Sequence, residues 1–111
     1  MSERIKKLND LLRDEIGKIL KKELELNNAL VTVVRADISP TLEHATVWIS
    51  VFPESQEKSA LKEINRNIYS LQQMLNKRLI MRPVPKIRFE IDKTEKEAAR
   101  IEQLIEKTPK S

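Results

Sequence analysis

Hydrophobic residues recur every three or four positions between residues 4 and 24, which is the spacing of one face of an amphipathic helix. The same spacing returns between residues 59 and 79, where Ser59 is suited to cap a helix. A weaker pattern of the same kind spans residues 94–107. These segments predict two long helices and a short C-terminal helix.

Two shorter segments, residues 30–38 and 45–52, are rich in valine, threonine and isoleucine and predict β-strands joined by a hairpin. In the second strand the residues at 45, 47, 49 and 51 are small or aliphatic and share one face, so Trp48 and Phe52 lie on the other. The orientation of the first strand stays open, because the adjacent apolar residues Val33 and Val34 would face opposite sides of a sheet.

Two prolines, Pro83 and Pro85, stop the second helix and lead into a third strand that ends near Asp92. Positions 87, 89 and 91 of this strand are apolar, and positions 86, 88, 90 and 92 are charged. Such alternation is typical of a strand with one buried face and one exposed face.

The predicted order is helix, strand, strand, helix, strand and a short terminal helix, which indicates an α+β fold. A helix that connects two strands of one sheet lies on one face of that sheet, and the first helix can share that face. We therefore expect one domain, residues 1–107, with the helices packed on one face of a three-stranded sheet. Residues 108–111 are expected to be a short flexible tail.

The composition argues against several kinds of site. The 111 residues include no cysteine and one histidine, His44, which is best explained as a solvated loop residue. Gly17 is the only glycine, so there is no glycine-rich phosphate loop, and its place inside a helix predicts the close approach of another backbone. We expect no catalytic residue, no metal site and no cofactor.

No apolar run approaches the ~20 residues of a membrane span, and there is no signal-peptide core, so we expect a cytoplasmic protein without a membrane partner.

Positive charge is concentrated in one part of the chain. The net charge is +4, but residues 58–88 contain eight lysines and arginines against a single acid, Glu63. A basic block of this kind is typical of a surface that binds a polyanion such as RNA, because cations release counterions from phosphates. The alternative, a helix face that is merely solvated, stays open on composition alone.

The third strand and the hairpin together resemble those of the ribosome-binding factor A family, and the order of elements matches over nearly the whole chain. The resemblance rests on Ser39, Leu42, Ala45, Val47, Trp48, Ile49, Ser50, Arg82, Pro85, Ile87, Phe89 and Asp92. It implies a type II KH-like fold and a non-enzymatic assembly factor that is monomeric. Its implied partners are the immature small ribosomal subunit and its ribosomal RNA, with assembly GTPases as functional neighbours. It also implies a role in late maturation, in rRNA processing and in growth in the cold.

Two positions differ from the pattern of that family. Its members usually have a Ser-x-Asp-Leu sequence in the hairpin, where this chain has Ser39-Pro40-Thr41-Leu42. Their second helix bends at an Ala-x-Gly step, where this chain has Asn67-Ile68-Tyr69. Small residues allow a backbone to bend and a phosphate to approach, so the sequence leaves open whether this helix bends.

We expect the RNA-binding residues to lie on the two long helices and at the start of the third strand. Trp48 and Phe52 could stack on bases, although such rings more often cover a sheet edge or pack beneath a helix. Two other functions stay open: a generic KH-like module for single-stranded RNA, and a protein-binding adaptor that uses Trp48 and Phe52. The predicted RNA-binding set is Arg4, Lys6, Lys7, Lys62, Arg66, Tyr69, Lys77, Arg78, Arg82, Lys86 and Arg88.

Overall fold

The segments with alternating hydrophobic residues form one mixed sheet in the computed structural model, which describes residues 3–24 and 29–94. Its elements in chain order are α1 (Glu3–Glu23), β1 (Leu30–Ile38), β2 (His44–Phe52), a 3-10 turn (Glu54–Gln56), α2 (Glu57–Arg66), α3 (Ile68–Arg78) and β3 (Lys86–Ile91). The strands lie in the order β1-β2-β3, with β1 antiparallel and β3 parallel to β2.

The core lies between one face of this sheet and the helices. In β2 the buried residues are Ala45, Val47, Ile49 and Val51, as their alternation predicts. Helix α1 packs against β1 and α3, and α2 packs against β2 and β3. The α+β fold with helices on one face of a three-stranded sheet is therefore confirmed. The helices contribute Leu12, Ile16, Ile19, Leu20, Ala60, Ile64, Leu71 and Leu75 to the core.

A β-bulge in β1 explains why the orientation of this strand could not be determined from its sequence. Val33 pairs with Ile49 and Arg35 pairs with Trp48, so Val34 is an extra residue without a partner in β2. One extra residue reverses the alternation along a strand. Val33 is half-buried before the bulge and Ala36 is fully buried after it, on the same side of the sheet.

The single helix predicted for residues 59–79 is wrong, because two helices meet at Asn67. Helix α2 begins at Glu57, directly after the 3-10 turn, and Ser59 lies inside it instead of capping it. Asn67 has φ −103° and ψ 12°, outside the helical region, and α3 begins at the next residue. The helix is therefore interrupted at the position where the family has its small residues.

The side chain of Asn67 explains the interruption. In a continuous α-helix its backbone N–H would bond to the carbonyl of Glu63, four residues earlier. Instead this N–H bonds to the carbonyl of Ile64 at 3.0 Å, and Nδ2 of the side chain donates to the Glu63 carbonyl at 2.8 Å. Asparagine competes with the backbone in this way, so its polar side chain ends α2.

Two side-chain amides attach the helices to the strands. Gln72 of α3 donates to the carbonyl of Pro85 at 3.0 Å and accepts from the backbone N–H of Ile87 at 2.9 Å. Asn9 of α1 accepts from the N–H of Ile38 at 2.8 Å. All three bonds are partly buried, which strengthens them and fixes the start of β3 and the end of β1 beneath the helices.

Two sequence-based predictions fall outside the described residues: nearly all of the helix at 94–107, and the tail at 108–111. No helix in the described part of the chain is long and apolar enough to cross a membrane.

Candidate RNA-binding surface

Exposed side chains spaced four residues apart form a line along α2 and α3. Side chains four apart on a helix lie one above another, at intervals of about 6 Å along the axis. Across the break at Asn67 the spacing drops to three residues. We call this line the cationic stripe; its members, all exposed, are Lys58, Lys62, Arg66, Tyr69, Gln73 and Lys77.

Tyr69 lies near the middle of the cationic stripe, in the first turn of α3. It is 74% exposed, far more than a ring that contributes to a core. Its neighbours along the stripe are Arg66 and Gln73. An exposed ring flanked by a cation and an amide can stack on a base or a sugar while the flanking groups contact phosphate.

The cations of the stripe are available to a ligand. Lys62 and Lys77 make no ion pair within residues 3–24 and 29–94. Arg66 lies 3.6 Å from the carboxylate of Glu63, and the Arg66 side chain is 68% exposed. Exposed pairs of this kind contribute little to stability, so a phosphate can displace the carboxylate.

Arg78 follows Lys77 in sequence but is bound to another helix. Its Nε donates to Oε2 of Glu15 on α1 at 2.7 Å. This hydrogen bond lowers the pKa of Glu15, an effect that burial opposes and that the charges of Lys18 and Arg78 reinforce. The contact therefore joins α3 to α1. The Arg78 side chain is 39% exposed, so part of it still faces solvent.

Arg82 also makes contacts within the chain. Its Nη1 donates to the carbonyls of Leu79 and Met81, each at 2.7 Å. These carbonyls follow the end of α3, where backbone acceptors have no partner in the helix. Arg82 is exposed overall, so it stabilises the turn after α3 while presenting charge at the surface.

The predicted set is divided between the two sides of the sheet. Ile87 and Phe89 of β3 are buried beneath the helices, so Lys86 and Arg88 face the opposite side. There Arg88 donates to Oγ1 of Thr46 at 3.3 Å. These two cations therefore do not belong to the cationic stripe, which lies in the helical layer.

Three further predicted residues lie at the start of α1. Arg4, Lys6 and Lys7 are exposed, and none of them makes an ion pair in the described part of the chain. They occupy a different helix from the stripe, so they form a separate cationic segment.

Trp48 is not a bare ring. The guanidinium of Arg35 lies over it, 4.8 Å from the ring centroid, and the indole Nε1 donates to Asp37 at 2.9 Å. Arg35 also bonds to Asp37 at 3.1 Å and to Asp92 at 3.3 Å. Hydrogen bonds from the side chain and backbone of Thr94 lower the pKa of Asp92. The charge of Arg35 lowers this pKa further, and the partial burial of the carboxylate opposes both effects. Carboxylates beside the ring make the immediate surroundings of Trp48 unfavourable for phosphates.

Phe52 is in a different environment from Trp48. It is 73% exposed and pairs across the sheet with Leu30, which is 66% exposed. The two side chains form an exposed apolar pair at one end of the sheet.

The predicted set omits two members of the stripe, Lys58 and Gln73. Their spacing from Lys62 and Lys77 is visible in the sequence. What could not be seen is the break at Asn67, which divides the stripe between two helices.

Comparisons with known proteins agree with the fold. The family model for ribosome-binding factor A matches residues 4–105. Ribosome-binding factor A of Coxiella burnetii is 32% identical over 99% of this chain and 93% of its own. The crystal structure of ribosome-binding factor A from Thermus thermophilus matches with a TM-score of 0.70 at 25% identity, over 78% of this chain and 93% of the other. A homology model of the Thermus thermophilus factor, fitted into a cryo-EM map of a 30S–RbfA complex, matches with a TM-score of 0.69 at 25% identity, over the same shares of the two chains. The chain belongs to the ribosome-binding factor A family.

Proposed function

We propose that this chain is a ribosome assembly factor that binds the immature small ribosomal subunit and contacts its RNA through the cationic stripe. The observation that carries the proposal is the stripe itself, an exposed line of lysines and arginine with Tyr69 near its middle. A further support comes from the Thermus thermophilus factor, whose homology model was fitted into a map of its complex with the 30S subunit.

The chemistry of the stripe favours recognition of RNA shape over sequence. Lysines act as mobile point charges toward phosphates, and the planar fork of Arg66 can bind two phosphate oxygens at once. Tyr69 offers a ring face that any base can stack on. Contacts of this kind position a protein on folded RNA and read few base edges.

The finer parts of the proposal concern what binding achieves. The protein acts without catalysis, as a monomer in the cytoplasm, during late maturation of the subunit and processing of its RNA. It assists growth in the cold, where misfolded RNA rearranges slowly, and assembly GTPases act beside it. These roles rest on the family resemblance and not on the geometry of the stripe.

Sedimentation of cell extract tests the proposal. The protein should migrate with free small subunits and be absent from translating ribosomes. Migration as free protein at low salt would contradict it. Binding to short single-stranded oligonucleotides that is as tight as binding to intact small subunits would instead favour a generic RNA-binding module.

Tyr69 provides a sharper version of this test. Tyr69→Leu removes the ring at an exposed position, and Tyr69→Phe keeps the ring as the matched control. The leucine variant should bind small subunits more weakly by about 1–3 kcal/mol, the range for loss of one stacked base, and the phenylalanine variant should bind nearly as well as the wild type. Equal affinity of both variants would remove Tyr69 from the site.

A further inference from the structure

A groove runs between α1 and the first half of β1, with a volume of about 430 Å³. Apolar side chains of Leu20, Val31 and Val33 line it. Gly17 lines its helical side, and no heavy atom of the described residues, apart from its chain neighbours and its own helix backbone, lies within 4 Å of the position that a Cβ would occupy there. A side chain at this position would therefore meet nothing else in the described chain.

The absence of a side chain at Gly17 has no structural reason within residues 3–24 and 29–94. A glycine inside a helix costs about 1 kcal/mol relative to alanine. The prediction that another backbone packs against Gly17 is wrong in this part of the chain, because nothing approaches it. Glycine at this position therefore leaves this side of the groove unfilled by the described residues.

The groove lies beside β1, which is an edge strand of the sheet among the described residues. In the order β1-β2-β3, no strand from residues 3–24 or 29–94 pairs with the outer side of β1. Alternate residues of an edge strand point their N–H and C=O groups away from the sheet and can pair with an extended peptide. The bulge at Val34 interrupts the regular edge, so residues 30–33 are the segment available for such pairing.

Positive charge surrounds the groove. Arg13, Lys18 and Lys21 line it, against the single acid Asp14. Within the described residues, Arg13 and Lys18 form ion pairs only with acids of their own helix, and Lys21 forms no ion pair. Exposed pairs are weak, so these cations remain able to attract a negatively charged ligand. No aromatic ring lines the groove itself, and the nearby Phe52 lies on the opposite face of the sheet from α1, which favours an acidic peptide over RNA.

The outer face at this edge is apolar as well. Leu30 lines the groove and also forms the exposed pair with Phe52. A strand added beside β1 would place alternate side chains next to Leu30 and over the groove. The positions next to Leu30 favour apolar residues, and the alternate positions over the groove place acidic residues toward the cations of α1.

We infer that this groove and the edge of β1 bind an extended, acidic segment of a partner protein, which adds a strand to the sheet at residues 30–33. No residue of the cationic stripe belongs to this site. The inference is therefore independent of RNA binding.

Titration of the isotope-labelled full chain, followed by NMR, tests the inference. The probe is a synthetic peptide of about nine residues that alternates valine with glutamate and threonine. Its control is the same peptide with lysine in place of each glutamate. The acidic peptide should shift the amide signals of residues 30–33 and of the middle of α1, and it should slow hydrogen exchange at alternate residues of that strand. The lysine peptide should bind about tenfold more weakly or not at all.

Two leucine substitutions on α1 separate the groove from the rest of the helix. Gly17→Leu fills the groove at a position with free space, and it should weaken peptide binding by about tenfold or more. Lys22→Leu adds the same side chain at an exposed position that does not line the groove, and it should leave binding within a few-fold of the wild type. Gly17→Leu should also leave binding to small subunits unchanged. Failure of the peptide test would therefore leave the proposal for the RNA-binding surface intact, and failure of the RNA test would leave this inference intact.

Four results would overturn the inference: no binding of the acidic peptide, equal binding of the lysine peptide, unchanged binding by Gly17→Leu, or shifts of the same amides by oligouridine but not by peptide. Shifts that depend on protein concentration alone would assign the edge to a second copy of the chain and would overturn it too.

Discussion

Arg78 of α3 and Glu15 of α1 are joined by a hydrogen bond of 2.7 Å between the guanidinium Nε and the carboxylate Oε2. The Glu15 side chain is 18% exposed and that of Arg78 is 39% exposed, so solvent screens the pair only in part. A residue expected to bind phosphate thus also holds two helices together, and its effects on stability and on RNA binding must be measured separately.

The lowered pKa of Glu15 predicts an acid-dependent contribution to stability. The pKa lies below its ordinary value of 4.5 in the folded state, so the stabilisation is complete above that value. It is lost as the pH falls from 4.5 through the folded pKa. Glu15→Gln should therefore destabilise the protein at neutral pH, by about 1 kcal/mol, and the difference from the wild type should disappear in acid.

Urea denaturation of both proteins across this pH range provides the measurement. A difference in unfolding free energy that stays constant from neutral to acid pH would contradict the assignment of the effect to the ionised carboxylate.

Asn67→Asp should destabilise the fold by about 1–2 kcal/mol. An ionised carboxylate cannot donate to the carbonyl of Glu63, which would lose its partner, and it would also lie near the Glu63 side chain. Asn65→Asp is the matched control, because Asn65 is exposed and undergoes the same chemical change two residues away. Chemical denaturation should show a clear loss for the first variant and little for the second; equal losses would mean that the Asn67 side chain does not support the break.

Gly17→Ala should stabilise the protein by about 1 kcal/mol, because alanine favours the helix and its Cβ meets no other atom of the described chain. The melting temperature should rise by about 4 °C. Calorimetry of the two proteins provides the measurement. A lower melting temperature would show that another part of the molecule contacts this position.

Trp48 should take no part in RNA binding. It is the only tryptophan, so its fluorescence reports on this face of the sheet alone. Saturation with ribosomal RNA should leave its emission nearly unchanged, whereas Arg35→Gln should alter it by removing the cation above the ring. Strong quenching by RNA would instead place this face in the interface.

The local sequence was sufficient to predict α1, β1 and β2 to within one residue of their ends, α1 from the spacing of its apolar residues and the strands from their valine, threonine and isoleucine content. It failed where a single residue changes the pattern. Val34 adds one residue to β1 and reverses its alternation. The side chain of Asn67 replaces a backbone hydrogen bond without changing the spacing of apolar residues.

The candidate site was only partly predictable for a different reason. The basic block identified the correct helices, but the partners of individual cations depend on contacts distant in sequence. Glu15 lies 63 residues before Arg78, and no local pattern connects them. Likewise, the separation of Lys86 and Arg88 from the stripe follows from which side of β3 is buried.

The central claim is that the cationic stripe contacts the phosphates of small-subunit RNA. Its most direct test is the affinity for purified small subunits as a function of salt concentration. The double variant Lys62→Gln/Lys77→Gln is compared with Lys22→Gln/Lys93→Gln, which removes the same charge from exposed positions outside the stripe. The stripe variant should bind more weakly, and the slope of log affinity against log salt should be smaller by about two units, one for each lost phosphate contact. The control should keep the slope of the wild type. Equal slopes for the two variants would contradict the claim.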